Sequence, residues 1–234
     1  MTTNGADASF ARPSATRTQH AIRLLALLDR CGEAVTDLDP PDTIKVVRSE
    51  LRLQAMDFWM RNPDYLADQL IARVECGLDP SYLQHARDLL DDPEPDLRWY
   101  PMPRWFFGAY EPLDDAFSLL EVYGLATVRR AGEPGRKRHR SQFYLTPPGA
   151  DAVAEITTDP VLSWYTDQAF LVHLVAGDDR GGDLKKRQYE QATYAQTELG
   201  TRIGPITDRV RTRLAALAAA ATTQDEHDGG ASES

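Results

Sequence analysis

Cysteine is nearly missing from this chain: Cys31 and Cys76 are its only two, in unrelated contexts. That excludes a disulfide framework and a cysteine-rich zinc site, and it suits a reducing compartment. No apolar run approaches the ~20 residues that a membrane span needs. The opening MTTNGADASFARPSATRTQ has no apolar core of a secretory signal, so the expected location is the cytoplasm. Catalytic signatures are missing too. There is no Gly-rich phosphate loop, GxSxG elbow or HExxH pair. The five histidines (His20, His85, His139, His173 and His227) are scattered, none at zinc-ligand spacing. GDDRGGD, from Gly177 to Asp183, fails the calcium-loop pattern and lacks its closing glutamate, so it reads as a solvated turn. His173, in an apolar helix, reads as a satisfied core histidine. These absences point away from an enzyme, a metal site or a bound cofactor.

Basic charge is also scarce. The chain has 26 Lys and Arg against 36 Asp and Glu, a formal charge of -10. One segment runs the other way. Six of the twelve residues from Arg129 to Arg140 are basic and one is acidic, so the remainder sits near about -15. Such a body repels a polyanion at long range, and any nucleic-acid contact has to be local and salt-sensitive.

Hydrophobic residues make up 42% of the chain and charged ones 26%, the balance of a globular protein with a core. Periodicity predicts mostly helix. Gln19–Arg30 places Ala21, Leu24, Leu25 and Leu28 on one face. After the break DLDPPD, Asp42 is expected to cap a helix reaching Met60, which Pro63 closes. Further helices are expected over Asp64–Cys76 and from Asp79 onward, with Pro80 in the first turn. Residues 91–112 hold five prolines and six of the chain's aromatics, Trp99 to Tyr110. Packing is their expected role, and a short strand at Leu97–Tyr100 is compatible with the composition.

The most informative unit begins at Leu113, which with Phe117 and Leu120 gives a helix one apolar face. LATVRR and QFYLT have strand composition around the turn chemistry of AGEPG, and Thr146 with Pro147 opens another helix. Helix, hairpin, helix is the outline of a winged helix. Beyond it, helices are expected over Val161–Ala176, Leu184–Leu199 and Ile203–Ala221. The predicted fold class is therefore mainly α with a small β-hairpin: a winged-helix domain plus flanking N- and C-terminal helices. The expected division is a disordered tail over 1–17, N-terminal helices over 18–62, the winged-helix domain over 63–158, a C-terminal helical module over 159–221 and a second disordered tail over 222–234. The C-terminal helices also offer a homodimer surface.

Arg129, Arg130, Arg136, Lys137, Arg138 and Arg140 make the hairpin a candidate wing for an anion or for nucleic-acid backbone. The helix before it argues against sequence readout. EPLDDAFSLLEVYG carries Glu111, Asp114, Asp115 and Glu121 but no Lys or Arg, whereas a groove-reading helix needs donors. Asp114, Asp115, Ser118 and Glu121 are instead candidates for protein-partner contact. DLKKRQ, with Lys185, Lys186 and Arg187, reads as either a smaller anion-facing patch or a solvated face. Asp57, Arg61 and Pro63 have a plain structural reading, an i, i+4 ion pair at the end of a helix.

RLQAMDFWMRNPDYLADQLI (Arg52–Ile71), FGAYEPLDDAFSLLEVYGL, FYLTPPGADAV and LKKRQYEQATYAQTELG together resemble the middle components of ABC-three-component systems, over about residues 44–200. The resemblance implies a winged-helix adaptor joining a Rad50- or SMC-like ABC ATPase to an effector in bacterial conflict or defence. It supplies no catalytic residues. The expectation is a non-enzymatic adaptor with weak backbone contact to DNA left open. The alternative is a DNA-binding winged-helix transcription regulator.

Overall fold

The computed structural model describes residues 16–91, 102–131 and 140–229, with the side chains of 131, 140 and 220–229 outside the description. The tail predicted over 1–17 lies outside these residues except for its last two positions, as does the predicted strand at Leu97–Tyr100; the tail predicted over 222–234 is corrected, because its backbone continues as helix to Gly229.

Helix α1 (Arg17–Cys31) opens with a reciprocal cap. The Thr16 hydroxyl accepts from Gln19 N at 3.2 Å, and Gln19 Oε1 accepts from Thr16 N at 2.8 Å. Leu24, Leu25, Leu27 and Leu28 are all buried, more than one stripe could account for. Each is worth roughly 1.5–3 kcal/mol of transfer free energy, an upper bound for a real unfolded chain. The cause is tertiary: α1 is enclosed by helices from both halves of the chain.

Strands β1 (Glu33–Ala34) and β2 (Lys45–Val47) come next, then α2 (Glu50–Arg61). The expected helix from Asp42 to Met60 is thereby corrected at its start. Asp42 has φ 61° and caps nothing; Ser49 is the cap, its hydroxyl accepting from Arg52 N at 3.4 Å. The apolar residues Val46 and Val47 are buried by strand pairing, which spares them a helical role. α3 (Pro63–Glu75) and α4 (Tyr82–Asp91) follow, and then a two-stranded hairpin, β3 (Arg104–Trp105) with β4 (Gly108–Ala109).

The central unit is α5 (Asp114–Val122), β5 (Ala126–Ala131), β6 (Arg140–Leu145) and α6 (Pro147–Thr158). Thr146 caps α6 as expected, accepting from Gly149 N at 3.2 Å. The four-stranded sheet is antiparallel with order β1-β2-β6-β5. Val47 pairs with Phe143, and Phe143 with Val128, so one apolar rung crosses three strands. Phe117 of α5 meets Phe143 with ring centroids 4.7 Å apart, fixing that helix on the sheet.

α7 (Ser163–Ala176) lies against α1, α3 and α6. The single helix expected over Leu184–Leu199 is two: α8 (Gly181–Tyr189) and α9 (Ala192–Gln196). No proline or glycine marks the break. It turns Gln191 and Tyr194 inward, where Gln191 Nε2 donates to Asp68 at 2.6 Å and the Tyr194 hydroxyl accepts from Ala109 N at 2.7 Å. Finally α10 (Thr207–Gly229) packs on α3 and α4 through Val210 and Leu214 and stays helical past Ala221. The result is mainly helical with a small antiparallel sheet, and no helix among the described residues is long and apolar enough to cross a membrane.

Candidate functional site

Asp114, Asp115, Ser118 and Glu121 all stand on the exposed face of α5, while Ala116, Phe117 and Leu120 are buried beneath. Three of the four are engaged within the chain. Asp114 pairs with Arg130 across to the hairpin. The Ser118 hydroxyl donates to Asp114 O at 2.7 Å, and Glu121 Oε1 accepts from Val128 N at 3.1 Å, stitching α5 to β5. The Asp115 carboxylate makes no ion pair among the described residues, although its backbone oxygen accepts from Arg17 Nε at 2.7 Å. Glu111 departs from expectation. It precedes the helix and pairs with Arg61 instead of joining the exposed acidic face.

The basic hairpin divides. Successive residues of a strand face opposite sides of its sheet. Arg130 therefore lies on the α5 side with Val128, and Arg129 lies on the other side. Arg129 is exposed and makes no ion pair among the described residues. Arg136, Lys137 and Arg138 lie outside the described residues, and so does the side chain of Arg140.

Beneath the α5–hairpin face is a cavity of about 380 Å³ lined by Glu50, Tyr110, Asp114, Arg130 and Ser141, among others. Glu50 and Ser141 also line a larger cleft of about 930 Å³, which runs to the 177–182 loop. At the junction, burial raises the Glu50 carboxyl above its ordinary value, against the hydrogen bond from Ser141. The far end is built by close packing of two helix starts. A Cβ on Gly181 would lie 2.6 Å from Arg52 N, so only glycine lets α8 begin against the first turn of α2.

The charges in the cleft are largely spent on structure. Arg48 holds Asp39 and Glu33, and Arg52 donates to the carbonyls of Gly177 and Asp179. Asp179 itself pairs with Arg73 and Arg187, so the GDDRGGD turn ties three helices together and does more than face solvent. His173 lines this cleft without being the satisfied core histidine that was expected: its Nδ1 is buried with no hydrogen-bond partner among the described residues. Burial, with Arg30 and Arg52 near, lowers its basicity. Burial also pushes the Cys31 thiol up to about 12, which leaves no thiolate in the cleft near neutrality.

The Asp57–Arg61 pair is present at 3.6 Å and belongs to a larger cluster. Arg23 forms a two-pronged contact with Asp57, Arg61 continues to Glu111, and His20 Nε2 lies 3.9 Å from the same carboxylate. Burial alone would raise the Asp57 carboxyl. Arg23, His20 and Arg61 outweigh it and hold the group well below the usual carboxylate range.

The basic residues of DLKKRQ do not act as one patch: Lys186 is exposed to solvent, Lys185 is half-buried and Arg187 turns inward. In the nine-residue α8, Lys186 and Arg187 fall in the last turn, where the helix dipole favours cations. Arg187 turns inward to Val175 O at 2.9 Å and sits over the Trp59 ring. The aromatics of 102–112 also depart from a packing role, since Trp105, Phe106 and Phe107 are exposed. Composition carries no sign of this, because the same rings serve equally in cores and at interfaces.

Comparison with protein-family models, curated proteins and solved structures returned no match. No group of three metal-ligating side chains occurs among the described residues.

Proposed function

We propose that the chain is a non-enzymatic winged-helix adaptor that holds protein partners, with an SMC-like ABC ATPase and an effector of bacterial defence as the partner class. The winged-helix reading is supported by the order α1, β2, intervening helices, α5, then the β5–β6 hairpin, with β2 returning beside β6. The adaptor reading rests on one observation: α5 offers only carboxylates, a hydroxyl and the apolar Val122 to its exposed side, with no cation. A phosphate-lined groove repels that face, whereas a basic protein surface fits it. The arginine nearest to it, Arg130, is already held by Asp114.

The test is co-purification of the tagged chain with the products of adjacent genes, including an ATPase. A stable complex is expected, and Asp114→Arg/Asp115→Arg should cut recovery about tenfold or more. A chain that recovers no partner overturns the reading. The second reading, a DNA-binding regulator, draws on exposed Arg129. On duplex DNA, log affinity should fall with log salt at a slope of about -2 to -3, and Arg136→Ala/Lys137→Ala/Arg138→Ala should abolish binding. Tight binding to one sequence would favour the regulator.

A further inference from the structure

The β3–β4 hairpin carries two consecutive phenylalanines at its turn. Phe106 is 76% exposed and Phe107 79%, with Trp105 beside them at 44%. Rings this open cost free energy in water unless something covers them. They are mounted on a rigid base. Gly108 takes φ +107°, and a Cβ there would lie 2.6 Å from the Tyr194 hydroxyl and 3.2 Å from Lys185 Cε. Ala109 N donates to that hydroxyl at 2.7 Å, Arg104 N to Thr201 O at 2.9 Å and Gly200 N to Arg104 O at 2.7 Å.

Two cations flank the turn. Lys185 Nζ lies 5.1 Å from the Phe107 centroid and 5.4 Å from that of Tyr189, and the Arg104 guanidinium is 5.6 Å from the same Tyr189 ring. Neither pairs with a carboxylate among the described residues, in a chain with an acidic excess of ten. Burial and then Arg104 lower the basicity of Lys185. Arg104 Nη1 donates to Thr197 O, while its Nε is buried with no hydrogen-bond partner among the described residues. The neighbourhood is therefore short of a negative charge.

We propose that the Trp105–Phe107 turn is a docking knob for an acidic, apolar peptide segment of a partner, its rings covering an aliphatic or aromatic side chain and Lys185 with Arg104 receiving a carboxylate. Charge complementarity selects this occupant. Single-stranded nucleic acid also uses rings and cations, but it needs a basic groove that tracks the backbone; two cations on an acidic body do not make one. Exposed aromatics on a fixed base, next to an Arg that lacks a carboxylate, have the composition of an interface hot spot. The inference deepens the adaptor reading and rests on it for the kind of ligand, a protein.

The isolated chain tests it by fluorescence anisotropy with a labelled peptide alternating glutamate with leucine, against a lysine–leucine peptide and an oligothymidylate strand. Saturable binding of the acidic peptide is expected, weakened about tenfold or more by Phe106→Ala/Phe107→Ala and by Lys185→Ala. The exposed double variant should melt with wild type, so lost binding is not lost fold. Unchanged binding in the variants, equal binding of the lysine–leucine peptide or no binding of the acidic peptide overturns the docking knob. Preference for oligothymidylate assigns the turn to nucleic acid instead. None of these outcomes touches co-purification through α5, so the two readings fail separately.

Discussion

Replacing Asp57 by asparagine keeps the shape of the side chain and removes one charge from a place with almost no water. Asp57 is 0% exposed, and the side chains of Arg23 and Arg61 are 4% exposed each. In the wild type, two guanidinium groups share this carboxylate, with Glu111 beyond. In Asp57→Asn they face each other without the carboxylate that lay between them, and Glu111 still pairs with Arg61. Stranding a buried charge by removing its partner costs about 3–5 kcal/mol, a large part of a typical total of about 5–15 kcal/mol. In a chain of this size that corresponds to a melting point lower by about 6–20 °C. Urea denaturation at pH 7 should show the loss as a fall in midpoint at unchanged slope. Arg23→Met/Asp57→Leu should recover most of it, because a well-packed apolar pair replaces an ion pair at little cost. The pH dependence has a definite sign. The folded pKa of Asp57 is depressed, so its contribution is full above the unfolded value of about 3.9 and fades as pH falls below it. The difference between wild type and Asp57→Asn should narrow at acid pH. A loss under about 1 kcal/mol at pH 7 would refute the account of a buried, mutually dependent cluster.

Two further outcomes come from packing. Cys31 is buried and its thiol is pushed up to about 12, whereas Cys76 is exposed, so an aromatic disulfide reagent should titrate one thiol in the native chain and both in denaturant; two fast native thiols would contradict the burial of Cys31. Gly181→Val forces a side chain against Arg52 N and should destabilise by about 1–3 kcal/mol while separating the starts of α8 and α2. Calorimetry showing a variant as stable as wild type would mean that this contact can relax freely.

The parts legible in the sequence were those set by local chemistry. Thr146 with Pro147 marked the start of α6, and the alternation in LATVRR and QFYLT marked β5 and β6, because caps and pleats act over a few residues. The exposed acidic face of α5 was also readable, since helical spacing separates Asp114, Asp115, Ser118 and Glu121 from Phe117 and Leu120. What escaped was decided from far away. Val46 and Val47 fell inside the span expected as helix from Asp42, and pairing with Glu33 on one side and with Tyr144 and Phe143 on the other makes them strand. The break between α8 and α9 has no breaker residue; Asp68 and Ala109, distant in sequence, draw Gln191 and Tyr194 inward. The split of Arg129 from Arg130 was implicit in a period of two, but a dense run of one charge hides which face each residue takes. The exposure of Phe106 and Phe107 had no local signal at all.

The short strand β2 also sets an order of events at synthesis. Val47 leaves the ribosome 96 residues before Phe143, the residue it must pair with. At about 5–20 residues per second the gap is roughly 5–20 s. Throughout that interval β2 is an open edge, and the leucines of α1 wait for α5 and α7 to enclose them. The edge of β2 is closed when β6 arrives, but α1 is fully enclosed only when α7, later still in the chain, has followed.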